Sequence, residues 1–147
     1  MQVGDVLRKK NARVVTIRMN ETVGIAARLM RANNISALVV KDVVHSEGNT
    51  ATGMFTERDV VRAIAEHGTG ILPSPVSETM TRKVVTCGQN ETIAEIMGRM
   101  TAGKFRHVPV VEQGRLIGIV SIGDIVKARL EELEQEHDAL RDYIRTA

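Results

Sequence analysis

At 147 residues the chain has room for one compact domain or two very small ones. Its 43% hydrophobic and 26% charged residues are the balance of a globular protein, and the net charge of +2 arises from Lys and Arg scattered among Asp and Glu. No run of like charge marks a DNA, RNA or anionic-membrane partner, and the few aromatics (Phe55, Phe105, Tyr143, no Trp) offer no stacking platform for single-stranded nucleic acid.

The first residues, Met1-Gln2-Val3-Gly4-Asp5, lack the basic and apolar regions of a signal peptide, and no apolar stretch is long enough for a membrane span. A β-branched run predicts a strand over Arg13 to Ile17. Asn20-Glu21-Thr22 is a helix-start signal, and Ala26, Leu29 and Met30 share one face of a helix from about Val23 to Asn33. Strands follow over Ala37 to Lys41 and Gly53 to Phe55, then a helix over Glu57 to about His67. Gly68 to Pro75, rich in Gly and Pro, reads as a junction. The order then repeats: strand Lys83 to Cys87, helix Ile93 to about Thr101, strands His107 to Val111 and Leu116 to Val120, and a helix from Ile122 onward. Glu112-Gln113-Gly114-Arg115 has the size of a hairpin turn, with Gly114 for positive φ.

The recurrence is an internal duplication. Val14-Val15-Thr16 matches Val84-Val85-Thr86 and Asn20-Glu21-Thr22 matches Asn90-Glu91-Thr92, both 70 residues apart. The run from Gly53 to Val61 matches Gly118 to Val126 at a spacing of 65, which places five extra residues of the first copy in a loop within Asp42 to Thr52. The division is residues 1–68, a linker over 69–75, residues 76–129, and a helical extension over 130–147. A unit of this size buries too little surface to be stable alone, so the copies are expected to pack on one another with pseudo-two-fold symmetry.

Thr56-Glu57-Arg58-Asp59 and Ser121-Ile122-Gly123-Asp124 stand at equivalent helix starts and read two ways. Ser/Thr-x-x-Asp is the pattern of a capping box, in which the acid reaches back to the N-cap amide. A helix N-terminus also suits a phosphate, and a first-turn carboxylate can accept both hydroxyls of a ribose. Nothing resembles a catalytic centre. His45, His67, His107 and His137 lack metal-ligand spacing, no serine sits in Gly-x-Ser-x-Gly, and there is no Walker-type phosphate loop. Cys87 has no partner for a disulfide and reads as a small apolar residue, which fits a reducing, cytoplasmic setting.

Taken with Gly103-Lys104-Phe105-Arg106-His107-Val108-Pro109-Val110-Val111, the two Gly-apolar-apolar-Ser/Thr-x-x-Asp motifs and the Val-Val-Thr strands make the chain resemble the cystathionine-β-synthase (CBS) domain family, and in particular stand-alone CBS pairs, or Bateman modules. The likeness covers roughly Met1 to Arg129. It implies an α/β (α+β) fold of two tandem β-α-β-β-α repeats plus a long C-terminal helix. It also implies a non-catalytic regulatory module that requires no cofactor and binds AMP, ADP or ATP in clefts between the repeats. NAD and S-adenosylmethionine stay open as ligands.

Residue by residue, the resemblance puts Asp59 and Asp124 on ribose hydroxyls and Thr56 and Ser121 on ribose or phosphate. Thr16 and Thr86 border the base, Arg106 and His107 face phosphate, and Pro109 follows them in the ligand-binding strand. The first copy departs from the pattern, with Ser36-Ala37 in place of Arg106-His107, so the second cleft is expected to be the richer in phosphate-binding chemistry.

The last helix outruns its counterpart. Val126, Leu130, Leu133, His137, Leu140 and Ile144 are spaced four, three, four, three, four, which is the seam of a short coiled coil. A helix lying on its own core would explain Val126 and Leu130, but not Leu140 and Ile144. A homodimer through this helix or through the flat faces of the pair is expected. A second reading is an interaction module with empty clefts that recruits a protein target through the tail.

Overall fold

Helix starts in this chain follow side-chain capping. In the computed structural model, which describes residues 1–11, 14–42 and 51–146, the hydroxyls of Thr22 and Thr92 accept the N–H groups of Ile25 and Glu95 at 3.2 Å. They open α2 (Val23–Ala32) and α4 (Ile93–Gly103) at the two Asn-Glu-Thr signals. Thr56 opens α3 (Glu57–His67) with a complete capping box, and Ser121 opens α5 (Ile122–Thr146). One helix was not anticipated: α1 (Val3–Lys10), which Gln2 and Asp5 cap and Asn11 ends in a left-handed conformation.

The first copy forms a three-stranded sheet in the order β1 (Thr16–Arg18), β2 (Ala37–Lys41), β3 (Ala51–Thr56), with β1 parallel and β3 antiparallel to β2. The second copy forms the hairpin β4 (His107–Glu112) and β5 (Arg115–Ser121), turned by Gln113 and Gly114 at φ 50° and 75°. Positive φ at both positions is the type I′ signature that suits strand twist. The strand expected over Lys83 to Cys87 does not form a ladder. Only Cys87 bridges to Val110, while Val84 and Val85 line a cleft. The five-residue insertion of the first copy, with His45 and the start of the Arg13 strand, lies outside the described residues.

The two copies complete each other's cores. Ile71 of the linker and Val76 and Met80 from the start of the second copy pack with Val23, Met30, Leu38 and Phe55 of the first. In mirror fashion, Val3 and Val6 of α1 pack with Ile93, Ile96, Val110 and Ile125 of the second. A fully buried valine side chain contributes about 1.5–2 kcal/mol, so α1 is a structural part of the second copy although it precedes the first. Backbone bonds fix the exchange: Val3 and Gly4 donate to the Glu91 and Gln89 carbonyls, and Val23 and Gly24 to those of Ser74 and Leu72, all at 2.9 Å. The 69–75 stretch is therefore held along its length, with 3-10 turns at Thr69–Ile71 and Val76–Glu78 on either side of Pro75. A third cluster joins the sheets, with Ala37, Val39 and Met54 against Val84, Leu116 and Ile119.

The recurring strand glycines serve this exchange. A Cβ at Gly53 would lie 2.7 Å from Met80 Sδ and 2.9 Å from the Thr81 carbonyl, and one at Gly118 would lie 2.6 Å from Leu7. Each glycine admits the segment that crosses from the other half.

Cys87 is buried, and burial above all pushes its thiol up to about 11, with Glu112 adding to the effect and Arg99 opposing it. This is the environment of an inert packing residue. Among the described residues no helix is long and apolar enough to cross a membrane. On α5, Ile125 and Ala128 face the core. Val126 and Leu130, which a helix lying on its own core would bury, are 41% and 56% exposed. The register of the body contact runs one to two residues away from the seam.

Candidate functional site

Two clefts open between the copies, and both are lined across the duplication. The first, about 570 Å³, takes Thr56, Asp59 and Arg62 from the start of α3 and Val84 and Val85 from the segment before Cys87. The run Lys104 to His107, with Ser121, closes it from the second copy. The second, about 810 Å³, is lined by Lys10, Val15, Met30, Asn34, Ile35, Ala37 and Ile119. Ser36, Glu57, His107 and Ser121 border both, so the clefts meet there. Both volumes fall in the range that holds a small-molecule ligand.

The pairing of motifs differs from the sequence expectation. Arg106 lines the cleft that contains Thr56 and Asp59 of the other copy, and His107 borders both clefts, close enough to Asp124 for that charge to act on its ring. The cause is the face-to-face packing of the sheets, which sets the start of β4 opposite the start of α3. The two helix starts keep the symmetry: Glu57 donates to the Ser36 carbonyl at 3.0 Å and Ile122 to that of Arg106 at 2.8 Å. Thr16, Thr86 and Pro109 line neither cleft. Their neighbours Val15, Val84 and Val85 do, while the Pro109 carbonyl accepts the Cys87 N–H at 3.0 Å and that of Thr86 accepts from Arg99 at 3.3 Å.

The two aspartates are held differently. Asp59 is 2% exposed and saturated. It accepts from the Thr56 N–H at 3.0 Å, the Thr56 hydroxyl at 3.3 Å and the Thr81 hydroxyl at 3.1 Å, and pairs with Arg62 at 3.4 Å. Asp124, expected on the ribose, lines neither cleft, but bonds Ser121 and Lys10, which line the second. Its Oδ2 accepts from the Ser121 N–H at 2.9 Å and from the Lys10 ammonium at 2.8 Å, and Lys10 also donates to the Ile119 carbonyl at 3.1 Å. Partial burial opposes ionisation of Asp124, but the Lys10 and Ser121 hydrogen bonds outweigh it and hold the carboxyl below the usual range. A cation from the exchanged helix thus already sits on the second aspartate.

The first cleft is strongly basic. Arg58, Arg62, Lys83, Lys104 and Arg106 line it against Glu57 and Asp59. Among the described residues, the side chains of Lys83, Lys104 and Arg106 have no hydrogen-bond or ion-pair partner. Val84, Val85, Met54 and Phe105 supply an apolar wall. Anions are drawn to such unpaired cations in a concave, partly desolvated site. Lys83 and Lys104 were not singled out from sequence. For Lys104 the signal was its place two residues before Arg106; for Lys83 and Lys10 there was none, because exchanged packing brings them in.

His107 sits where the clefts join, its Nε2 3.1 Å from the Ser36 hydroxyl. Burial, then the Arg106 and Lys10 charges, push its pKa down, with Asp124 opposing them. The ring is therefore neutral near pH 7. As pH falls, the unfolded chain takes up this proton before the folded one, so stability declines from the ordinary histidine value of about 6.5 down through the lowered one. Against His107→Gln, wild type should lose ground steadily in urea-denaturation midpoints between about pH 7.5 and 5.5. A pH-independent difference would contradict the buried neutral ring.

Comparison with known proteins agrees with this architecture. The family model of the CBS domain matches residues 3–66 and again 76–131. The CBS domain-containing protein CBSX3, mitochondrial, of Arabidopsis thaliana is 35% identical over 127 residues, which cover 85% of this chain and 61% of that protein, so the chain spans about three fifths of that relative. The CBS domain-containing protein YhcV of Bacillus subtilis is 34% identical over 76% of each chain. Among solved structures, the CBS-domain containing protein ATU1752 from Agrobacterium tumefaciens has a TM-score of 0.81 at 48% identity, covering 87% of this chain and 92% of its own. The CBS domain pair of protein MJ0100, solved in complex with 5′-methylthioadenosine and S-adenosyl-L-methionine, has a TM-score of 0.76 at 26% identity, covering 90% of this chain and 98% of its own.

Proposed function

The chain belongs to the CBS domain family, with two tandem repeats, and from that premise we propose that it is a non-catalytic regulatory module that binds an adenine nucleotide in its first cleft. The observation that carries the reading is the joining, in one cleft, of the hydroxyl and carboxylate at the start of α3 with the unpaired cations Lys104 and Arg106 of the other repeat. The apolar wall of Val84, Val85 and Phe105 suits a purine, and the cations suit its phosphates. A ribose diol reaches Asp59 by taking the place of the Thr81 hydroxyl on the same carboxylate. That a CBS pair can hold adenosine compounds is supported by the complex of MJ0100.

The second cleft is more apolar and its Lys10 is already paired with Asp124, so we assign it weaker binding or a ligand with less phosphate. Binding between repeats shifts the balance between their relative arrangements, which a second copy or a protein target then reads. Differential scanning fluorimetry with adenosine, AMP, ADP, ATP and S-adenosylmethionine tests the reading. A phosphate-bearing ligand at a hundredfold excess over Kd should add about 2.7 kcal/mol, a rise of roughly 5–10 °C. No shift with any of them up to millimolar concentration overturns it, and would favour a module with empty clefts acting through its tail.

A further inference from the structure

The C-terminal helix carries a surface that the rest of the fold does not use. α5 is 25 residues long, about 37 Å at 1.5 Å per residue. Its body contacts come from Ile125 and Ala128 in the core, with Glu131 reaching Lys9 of α1 at 3.2 Å. From Leu133 to Thr146 every residue is exposed. Along one side lie Val126, Leu130, Leu133, Leu140 and Ile144, between 41% and 66% exposed, with His137 in register among them. A lone projecting helix of this length is marginal in water, and a continuous apolar stripe on it marks a contact surface.

The charges flanking the stripe choose the occupant. With Val126, Leu133 and Leu140 at d and Leu130, His137 and Ile144 at a, the g positions hold Arg129, Glu136 and Tyr143 and the e positions hold Lys127, Glu134 and Arg141. In a parallel pair each g residue meets the e residue five further on in its partner. Arg129 then meets Glu134 of the second copy, and Glu136 meets Arg141, so both contacts join opposite charges and symmetry doubles them. An antiparallel pair would set Glu134 against Glu134 and Arg141 near Lys127, like against like. Leu133 and Leu140 at d with the β-branched Ile144 at a are the two-stranded preference, and a polar residue at one a position, here His137, fixes register. The present partner of Arg141, Asp138 at 2.9 Å, is an exposed i,i+3 contact of the kind that contributes little, and Glu132, 3.3 Å from Arg129 and part-buried, keeps the Met1 amino group at 2.7 Å when Arg129 turns to the seam.

We propose that residues 126–144 form a parallel two-stranded coiled coil with a second copy of this chain, with ion pairs from Arg129 to Glu134 and from Glu136 to Arg141 across the seam. This rests on the second-copy half of the functional reading and is independent of the nucleotide half. Sedimentation equilibrium of the full chain across the micromolar range should show a dimer. Leu133→Asp/Leu140→Asp and the charge reversal Glu134→Arg/Arg141→Glu should each give a monomer that keeps the cooperative thermal unfolding of the body. In an otherwise wild-type chain, Leu140→Cys should be captured as a covalent dimer by mild oxidation, because parallel strands place d opposite d, and Cys87 is buried. A monomeric wild type overturns both the coil and the dimer. A dimer that survives Leu133→Asp/Leu140→Asp overturns the coil alone and places association on another face. A dimer that resists the charge reversal, or that Leu140→Cys does not cross-link, overturns the parallel ion-paired arrangement.

Discussion

Asp59→Ala is expected to lower stability by about 3 kcal/mol, and Asp124→Ala, at the equivalent helix start, by only about 1 kcal/mol. Both carboxylates complete a capping box, so sequence alone makes them equal. Burial separates them. Asp59 is 2% exposed and accepts from Thr56 and Thr81, so its removal leaves the half-buried Thr56 N–H without its acceptor, while the exposed Thr81 hydroxyl turns to water. An unsatisfied buried donor costs about 1–3 kcal/mol, which adds to the loss of the cap. The Asp124 side chain is 24% exposed, and water replaces it for both Lys10 and Ser121. Urea denaturation with an unchanged m-value measures the difference. Equal losses would mean that the burial of Asp59 adds nothing to the cap.

Arg106→Ala should weaken ATP binding roughly ten- to a hundredfold, the equivalent of about 1.5–3 kcal/mol for a charge-assisted hydrogen bond to phosphate. Adenosine binding should stay within twofold of wild type, because Arg106 lies with the cations of the first cleft and not on its apolar wall. The guanidinium has no side-chain partner among the described residues, so stability should move by less than about 0.5 kcal/mol. Lys10→Met, by contrast, removes a cation of the second cleft, the one paired with Asp124, and should leave ATP affinity at the first unchanged. Isothermal titration calorimetry with adenosine, AMP and ATP separates these cases. If Arg106→Ala leaves ATP affinity intact, or reduces adenosine and ATP alike, the phosphate does not lie against the Lys104–His107 run.

The contrast between these variants shows where the sequence was informative. Periodicity, the Asn-Glu-Thr signals and the two Ser/Thr-x-x-Asp motifs are local features, and local hydrogen bonding obeyed them. β2 and α3 have the expected bounds, and Thr22, Thr92 and Thr56 cap the helices they precede. The duplication was legible for the same reason, since matching residues meet matching local requirements. The departure of Ser36-Ala37 from Arg106-His107 was also legible and the two clefts do differ in charge, but the cations gather in the first cleft and not, as expected, in the second, because Arg106 crosses to the aspartate of the other copy.

Partnership between distant segments was not legible. α1 has apolar Val3, Val6 and Leu7 at helical spacing, yet nothing in that pattern says that the helix completes the second core or delivers Lys10 to Asp124. The β-branched run Val84-Val85-Thr86 satisfies a strand pattern but pairs only through Cys87, because the adjoining valines face the inter-repeat contact and the cleft. The seam on α5 was visible as a spacing, but only the fold shows that the body takes Ile125 and Ala128 and leaves the seam exposed. The sequence by itself determined two repeats, their helix starts and an apolar stripe on the tail, since these depend on residues within one or two turns of each other. Only tertiary packing decided which repeat's aspartate shares a cleft with Arg106 and His107. That choice depends on how two sheet faces meet, and no local pattern encodes it.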